Sequence, residues 1–363
     1  MSATLNDIAA KAGVSVSTVS RVLNKKAKKY RISSETEERI VKAAKELSYR
    51  PNEIARGLRL KKTNTIGLIA PDVSNPFFAY IIKRVQSVAH GMGYSLIVCN
   101  TDENVDQEVS HVNLLFRNRV DGLIAMPVGT RYDHYADWID KGLPLVLLDR
   151  CFDQLNVRSV VVDNYAGSYE AVEHLIGYGH ERIAFIQGLP GTYTNSARLS
   201  GYRDALETHG LPYDPELVVG ADFRQENGYM ETKLLLSKPD RPTAIFATSD
   251  MITLGALQAI YEEGLSIPDD ISIVMFDDVD FAPFLRCPLT AVRQPKELMG
   301  EMAVKMLVDE VRGERQGADR QGASRVMLKP RLVRRLSVAA PGGATDLVHV
   351  SSRPGVVQGG VRP

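Results

Sequence analysis

From Thr65 onwards, short apolar runs alternate with amphipathic segments, and this alternation limits the possible folds more than any other feature. The apolar runs lie at 66–70, 96–99, 122–126, 145–148, 160–162, 183–186, 244–247 and 271–276. Most of the segments between them have helical spacing, so the pattern predicts parallel sheets covered by helices on both faces. Because so many elements exceed one sheet of usual size, we expect two α/β lobes with a ligand cleft between them.

The first fifty residues lack this alternation and predict a small all-α head of three short helices. Thr4 and Ser15 are suited to cap the first two helices, and Gly13 separates them. Apolar residues recur along these helices at helical spacing, which is sufficient to form one small core. A helix, a tight glycine turn and a second helix with a polar exposed face make a helix-turn-helix, whose second helix enters the DNA major groove.

The distribution of charge also favours a DNA-binding head. The net charge of the chain is zero, yet residues 1–62 hold 15 Lys and Arg against six acidic residues. A basic head on an acidic body is typical of a nucleic-acid-binding module joined to another domain. An ordinary solvated hairpin of helices is the alternative, but it does not explain why the turn, the cap and the basic charge coincide.

Side chains of the second helix are assigned to DNA by their chemistry. We expect Val16, Ser17 and Arg21 to face base edges, because arginine suits guanine and valine suits a thymine methyl group. Phosphate contacts fix the position of a protein on DNA without reading its sequence. We expect them from Thr18, Ser20 and Asn24, and the capping residues Thr4 and Ser15 are also assigned to DNA.

The helix-turn-helix, together with three later motifs, resembles the lactose-repressor (LacI/GalR) family, and the similarity extends to about residue 337. Residues 49–58 resemble the hinge helix of that family, residues 71–78 the opening of its sensor, and residues 148–150 its third-strand signature. The resemblance implies a transcriptional regulator that binds double-stranded, near-palindromic operators as a symmetric homodimer.

Within the hinge, the resemblance implies contacts with the minor groove. Leu58 takes the place of an apolar wedge that each of two paired hinge helices inserts between base pairs. Ala55 takes the small inward position nearby, and Asn52 is assigned to DNA with it. A plain linker with an exposed leucine is the alternative, because helices shorter than about 12 residues are marginal in water.

The resemblance also implies a set of effector-binding residues in the cleft: Phe77, Asp149, Thr194, Arg198, Phe223 and Asp277. Carboxylates accept hydrogen bonds from hydroxyls, arginine donates to them, and an aromatic ring covers an apolar face, so the set suits a sugar. A purine or a protein co-regulator in place of the sugar is the alternative. Alternatively, Asp277 is a strand-end turn residue and Arg198 forms a surface ion pair. We expect a repressor of a carbohydrate-utilisation operon, modulated by a small sugar.

The expected domain organisation has four parts: a helix-turn-helix domain at 1–50, a hinge and linker at 51–63, a two-lobed effector-binding and dimerisation domain at 64–337, and a disordered tail at 338–363. The chain is expected to cross between the lobes near Asp163, Val292 and Arg325. The tail lacks the leucine heptads through which some relatives tetramerise, so we expect a dimer.

Other classes of protein receive little support from the sequence. Motifs for phosphate loops, nucleophile elbows, zinc-binding helices and dinucleotide binding do not occur, and the seven histidines lack ligand spacing. We therefore expect no catalysis, no metal and no cofactor. Sparse cysteines, no secretory signal and no apolar run of membrane-spanning length predict a cytoplasmic protein with no membrane partner rather than a periplasmic sugar-binding protein. A cytosolic sugar-binding protein is the alternative from a different functional class.

Overall fold

A computed structural model describes residues 3–49, 62–313 and 324–342. The chain divides into two compact units, the first ending at Thr63 and the second beginning at Asn64. The hinge residues Asn52, Ala55 and Leu58 lie outside the described residues, so their DNA contacts stay predictions.

The described residues 3–49 of the first unit form a bundle of three helices around a small apolar core. Its helices are α1 (Leu5–Ala12), α2 (Val16–Leu23) and α3 (Ser34–Glu46), with a 3₁₀ turn at Lys28–Tyr30 before the third. One side chain from each helix, Ile8, Val19 and Ile40, is completely shielded from solvent in the core. The helices bury one face each because their apolar residues recur every three or four positions.

Local caps determine where the first two helices begin and end. The Asp7 amide donates to the Thr4 hydroxyl, and the Thr4 amide donates to the Asp7 carboxylate at 2.8 Å. Gly13 ends α1 with a φ of 66°, a left-handed conformation that glycine adopts without steric cost. Ser15 caps α2 by accepting a hydrogen bond from the Thr18 amide. The predicted helix-turn-helix is confirmed.

The second unit has two lobes. The strands of lobe 1 are β1 (Thr65–Ala70), β2 (Ser95–Asn100), β3 (Gly122–Ala125), β4 (Leu145–Leu148), β5 (Arg158–Val162) and β11 (Arg325–Leu328). Its helices are α4 (Pro76–Gly91), α5 (Val105–Arg117), α6 (Ala136–Asp140) and α11 (Lys296–Arg312). Helix α11 lies on this lobe, packed against α4 and β4.

The strands of lobe 2 are β6 (Ile183–Ile186), β7 (Val218–Val219), β8 (Ala244–Ala247), β9 (Ser272–Phe276), β10 (Thr290–Arg293) and β12 (Arg331–Val333). Its helices are α7 (Asn164–Gly177), α8 (Tyr193–Thr208), α9 (Gln225–Leu236) and α10 (Asp250–Glu262). Helices α7 and α8 pack against each other, as do α9 and α10.

The two sheets have corresponding strand orders, β2-β1-β3-β4-β5-β11 in lobe 1 and β7-β6-β8-β9-β10-β12 in lobe 2. Neighbouring strands are parallel, except that β12 runs antiparallel to β10. Strands β3, β4, β6, β8 and β9 are buried along their whole length, as expected when helices cover both faces of a parallel sheet. The predicted two-lobed α/β fold is confirmed.

Among the described residues, the chain passes between the lobes at three places. The crossings occur at Asp163, at residues 294–295 and at residues 329–330. The first is at its predicted position, and the other two lie a few residues beyond Val292 and Arg325. The carboxyl ends of central strands from both sheets therefore border the cleft, which is where open parallel sheets bind ligands.

The predicted boundary between sensor and tail at residue 338 is too early. Val338 is buried in the apolar core of lobe 2, and the Ala339 amide donates to the Ser272 hydroxyl at 3.0 Å. The sequence does not indicate that Val338 and Ala339 pack on lobe 2, because a single buried side chain and a backbone contact in a Gly- and Pro-rich segment produce no periodic pattern. Residues 343–363 of the expected tail lie outside the described residues. The described helices include none long and apolar enough to cross a membrane.

Candidate functional site

The predicted base-reading side chains lie on the solvent-exposed face of α2. The side chains of Val16, Ser17 and Arg21 are all exposed, whereas Val19 on the opposite face is buried. The Arg21 guanidinium stacks on the ring of Tyr30, 4.1 Å from its centroid. Tyr30 lies beyond the end of α2, and it was not among the residues predicted to bind DNA. These DNA contacts stay predictions.

Several of the side chains assigned to DNA form hydrogen bonds within the head. The Ser15 hydroxyl lies 2.8 Å from the hydroxyls of both Ser17 and Thr18. The Asn24 side-chain amide donates to the Ser20 carbonyl at 2.6 Å, one turn earlier in α2. A phosphate contact by Asn24 therefore requires this local bond to be exchanged, while hydroxyl groups can accept and donate at once.

A cavity of about 340 Å³ lies in the interlobe cleft of the second unit. All six residues predicted to bind the effector line it: Phe77, Asp149, Thr194, Arg198, Phe223 and Asp277. Further polar side chains of the lining were not predicted from the sequence, including Asn75, Glu103, Arg150, Ser249 and Asp250. The structure thus brings together residues from both lobes in one polar cavity.

Asp149 and Asp277 occupy corresponding places in the two lobes. Each follows a central buried strand, and their φ angles of 66° and 75° lie in the left-handed region. Non-glycine residues adopt this conformation at a cost of order 1–3 kcal/mol, and they concentrate at functional sites. Asp277 accepts a hydrogen bond from Gln294 at the second crossing. Asp277 therefore lies at a strand end, as the alternative interpretation has it, and it also lines the cavity.

Arg198 is buried in the cavity wall, with 3% of its surface exposed. Its Nε donates to Asn164 Oδ1 at 2.8 Å, its Nη1 donates to the Thr248 carbonyl at 2.5 Å, and its plane stacks on Phe276. Burial lowers the pKa of Arg198, although Asp277 nearby acts in the opposite direction. The alternative of a surface ion pair is wrong, because the guanidinium is held inside lobe 2.

Asp250 is the most informative of the missed residues. At the start of α10, its Oδ1 accepts a hydrogen bond from Asn75 Nδ2 across the cleft at 3.1 Å. Burial and the neighbouring Asp277 raise the pKa of Asp250 to about 7. Burial also raises the pKa of Asp149 to about 6, against the influence of Arg150 and Arg198. The position of Ser249-Asp250 directly after an apolar run was the available sequence signal.

Aromatic rings and a second guanidinium complete the cavity. Phe77 and Phe78 contact each other edge to face, with centroids 5.1 Å apart. The Arg150 guanidinium lies 5.6 Å from the ring of Phe78 in lobe 1 and 5.0 Å from that of Phe223 in lobe 2. Glu103 accepts two hydrogen bonds from Arg150, at 2.7 and 2.8 Å. One ring face of Phe223 is therefore directed at Arg150.

Comparison with known proteins identifies the family. The profile for bacterial regulatory proteins of the lacI family matches residues 4–52, and that for the periplasmic binding protein-like domain matches residues 172–338. The transcriptional repressor PurR of Proteus mirabilis is 36% identical over 340 residues, covering 93% of this chain and 97% of that protein. This chain belongs to the LacI family.

Two solved structures of transcriptional regulators match this chain over more than nine-tenths of its length. The Lac repressor dimer bound to operator and the anti-inducer ONPF is 29% identical, with a TM-score of 0.81, covering 94% of this chain and 100% of that one. The CelR–cellobiose complex is 32% identical, with a TM-score of 0.68, covering 92% and 99%. This LacI-family protein is therefore a transcriptional regulator with a helix-turn-helix DNA-binding domain and an effector-binding sensor.

Proposed function

We propose that this LacI-family regulator represses a carbohydrate-utilisation operon and that a neutral sugar binds in its interlobe cavity. Three buried oxygens of cavity-lining residues carry the proposal, because they have no hydrogen-bond partner among the described residues. They are Asp149 Oδ1, Thr194 Oγ1 and Asp250 Oδ2. An unpaired buried polar group costs about 1–3 kcal/mol, and a ligand with several hydroxyls can donate to all three.

The charge of the cavity favours an uncharged ligand. Seven carboxylate side chains and three guanidinium groups line it. A phosphorylated sugar would bring further negative charge among these carboxylates, which disfavours its binding. A purine is the other small effector expected from the sequence, but it presents fewer hydrogen-bond donors to the three unpaired oxygens. The cellobiose complex of the relative CelR gives independent support for a sugar.

The proposed residue roles follow from the contacts already described. Arg198 is held by Asn164 and Thr248, so its remaining donor capacity is oriented before a ligand arrives. Asp149 and Asp277 accept hydrogen bonds from the sugar hydroxyls, and Thr194 contributes a hydroxyl. Phe77 and Phe223 cover the apolar faces of the sugar ring. Asp250 adds its unpaired Oδ2 as a further acceptor, so the proposed effector site consists of these five residues together with Arg198 and Asp250.

We propose further that the protein acts as a homodimer on a near-palindromic operator in the cytoplasm. The operator-bound Lac repressor dimer supports this assembly. Large apolar side chains are exposed on lobe 2, and Phe284 has 85% of its surface exposed; the others include Leu254, Tyr261 and Phe281. Such surfaces are typical of protein interfaces. We assign no enzymatic role, and the described residues contain no cluster of three metal-ligating side chains.

A ligand panel tests the identity of the effector. The full chain is titrated by calorimetry and thermal shift with neutral monosaccharides and disaccharides, their phosphates and free nucleobases. We expect a neutral sugar to stabilise the protein, by about 2.7 kcal/mol at a ligand concentration of 100 Kd. The Asp149→Asn variant, which changes the charge of the site but little of its volume, should lose most of this stabilisation. Binding of nucleobases alone would contradict the proposal.

The raised pKa values of two cavity carboxyls predict pH-dependent sugar binding. Sugar hydroxyls donate to ionised carboxylates, whereas the free protein protonates Asp250 near its pKa of about 7 and Asp149 near its pKa of about 6. The affinity should therefore fall as the pH is lowered below these two values, by at most about tenfold per pH unit for each carboxyl that must be ionised to accept from the sugar. Calorimetric titration from about pH 8 to about pH 5 measures it. In Asp250→Asn, the affinity should change less with pH around pH 7. An unchanged pH profile would show that Asp250 is not a cause of the pH dependence.

A further inference from the structure

A cationic turn follows the recognition helix and is not used by the function proposed above. We define the lysine turn as residues 25–31, which carry five cations and no acidic residue: Lys25, Lys26, Lys28, Lys29 and Arg31. All five side chains are exposed, and none forms a salt bridge within the described part of the head. The lysine turn is thus a compact positive surface beside the helix that enters the major groove.

The lysine turn is fixed to the head rather than projecting freely from it. The Lys26 amide donates to the Arg21 carbonyl at 2.9 Å, which joins the turn to the end of α2. Ala27 is buried in the core of the head, and the Ile32 amide donates to its carbonyl at 3.1 Å. The turn therefore has a defined position relative to α2. Tyr30 belongs to this turn, so its position relative to α2 is defined as well.

Tyr30 lies against the predicted base-reading arginine. Its amide donates to the carbonyls of Lys26 and Ala27, both at 3.2 Å, and 45% of its surface is exposed. The Arg21 guanidinium lies 4.1 Å from the centroid of the Tyr30 ring. The guanidinium carbon lies over the ring face, and the N–H groups of the Arg21 side chain donate no hydrogen bond within the described part of the head, so they stay available to a guanine edge.

We propose that Tyr30 is a specificity-determining positioning residue, which holds Arg21 in its base-reading orientation while the cations of the lysine turn bind adjacent phosphates. This inference rests on the proposed base contact of Arg21. Stacking restricts the rotamers of Arg21 before DNA arrives, so less conformational entropy is lost on binding the correct base. Phosphate contacts by the lysine turn act on every DNA sequence alike.

The test uses the full chain and an operator selected by the wild-type protein from a pool of randomised duplexes. Dissociation constants are measured for this operator and for each of its single-base-pair variants. Arg21→Ala identifies the base pair that Arg21 reads. At that base pair, Tyr30→Leu should reduce discrimination about two- to fivefold, as expected for an exposed cation–π contact, whereas Tyr30→Phe should retain it. In an Arg21→Ala background, Tyr30→Leu should cause no further loss.

Lysine variants of the same turn are the matched controls. Lys28→Ala and Lys29→Ala should weaken binding to selected and unselected duplexes alike, and each should reduce the dependence of log Kd on log salt by about one. Discrimination at the Arg21 base pair should not change. If these lysine variants leave the salt dependence unaltered, the phosphate role of the turn is overturned.

The outcomes separate this inference from the function on which it rests. If Arg21→Ala leaves discrimination unchanged at every base pair, the base contact of Arg21 is wrong, and the role of Tyr30 fails with it. If Arg21→Ala abolishes discrimination but Tyr30→Leu retains it in full, only the role of Tyr30 is overturned. The role of Tyr30 is likewise overturned if Tyr30→Leu reduces discrimination equally in the wild-type and Arg21→Ala backgrounds.

Discussion

Replacing Asp277 with asparagine is expected to weaken effector binding by about 1.5–3 kcal/mol, or roughly 10- to 150-fold, because a charged hydrogen-bond acceptor is lost from the cavity. Asparagine has nearly the same shape and tolerates the φ of 75°, so the local backbone should be preserved. Its side-chain oxygen can still accept the hydrogen bond from Gln294. Calorimetric titration with the sugar found in the ligand panel measures the change.

The same variant should lose the effector response while its operator affinity without effector stays within about threefold of wild type. Asp277 contacts Gln294 at the second crossing, and Arg198 contacts Asn164 beside the first. A bound sugar can therefore act on two of the three connections between the lobes. Couplings of this kind are typically worth about 1–3 kcal/mol and must be reciprocal.

Asp269→Asn provides a matched control, because Asp269 is an exposed carboxylate on the same lobe that does not line the cavity. It should bind effector and operator like the wild type. A full effector response in Asp277→Asn would show that Asp277 is only a strand-end turn residue, and the proposed effector site would then be wrong.

Arg21→Ala is expected to cost about 1–3 kcal/mol on the cognate operator, because a bidentate contact with one base pair is lost. Arg21 is exposed on α2 and stacked on Tyr30, so its removal should leave the core of the head intact. Binding to unrelated DNA should change little, since that affinity comes from phosphate contacts. Gel-shift or anisotropy titrations on operator and non-operator duplexes measure both quantities.

Lys11→Ala is a suitable control for charge removal in the head. Lys11 lies on α1 and pairs with Glu46 at 2.8 Å, so its loss removes one cation without affecting the predicted reading face. Discrimination between operator and other DNA should be unchanged in this variant. If Arg21→Ala weakens binding to both kinds of duplex equally, Arg21 is a phosphate contact and not a base reader.

The head and the two-lobed sensor were predictable because their signals are local. Thr4, Gly13 and Ser15 determine helix ends through groups within a few residues, and apolar periodicity determines which faces are buried. Short apolar runs between amphipathic segments indicate parallel sheets, because each run and each segment is recognised from neighbouring residues alone. The resemblance to the LacI family then supplied six residues that the structure places around one cavity.

Contacts between distant parts of the chain were decided only by the tertiary structure. Asn75 and Asp250 are 175 residues apart and meet because each follows a strand that ends at the cleft. The stacking of Tyr30 on Arg21 depends on how the lysine turn folds back after α2, and the burial of Val338 in lobe 2 accompanies the hydrogen bond between Ala339 and Ser272 at the start of β9. Sequence spacing encodes the period of a helix or strand, but strand order and the crossings decide which side chains meet.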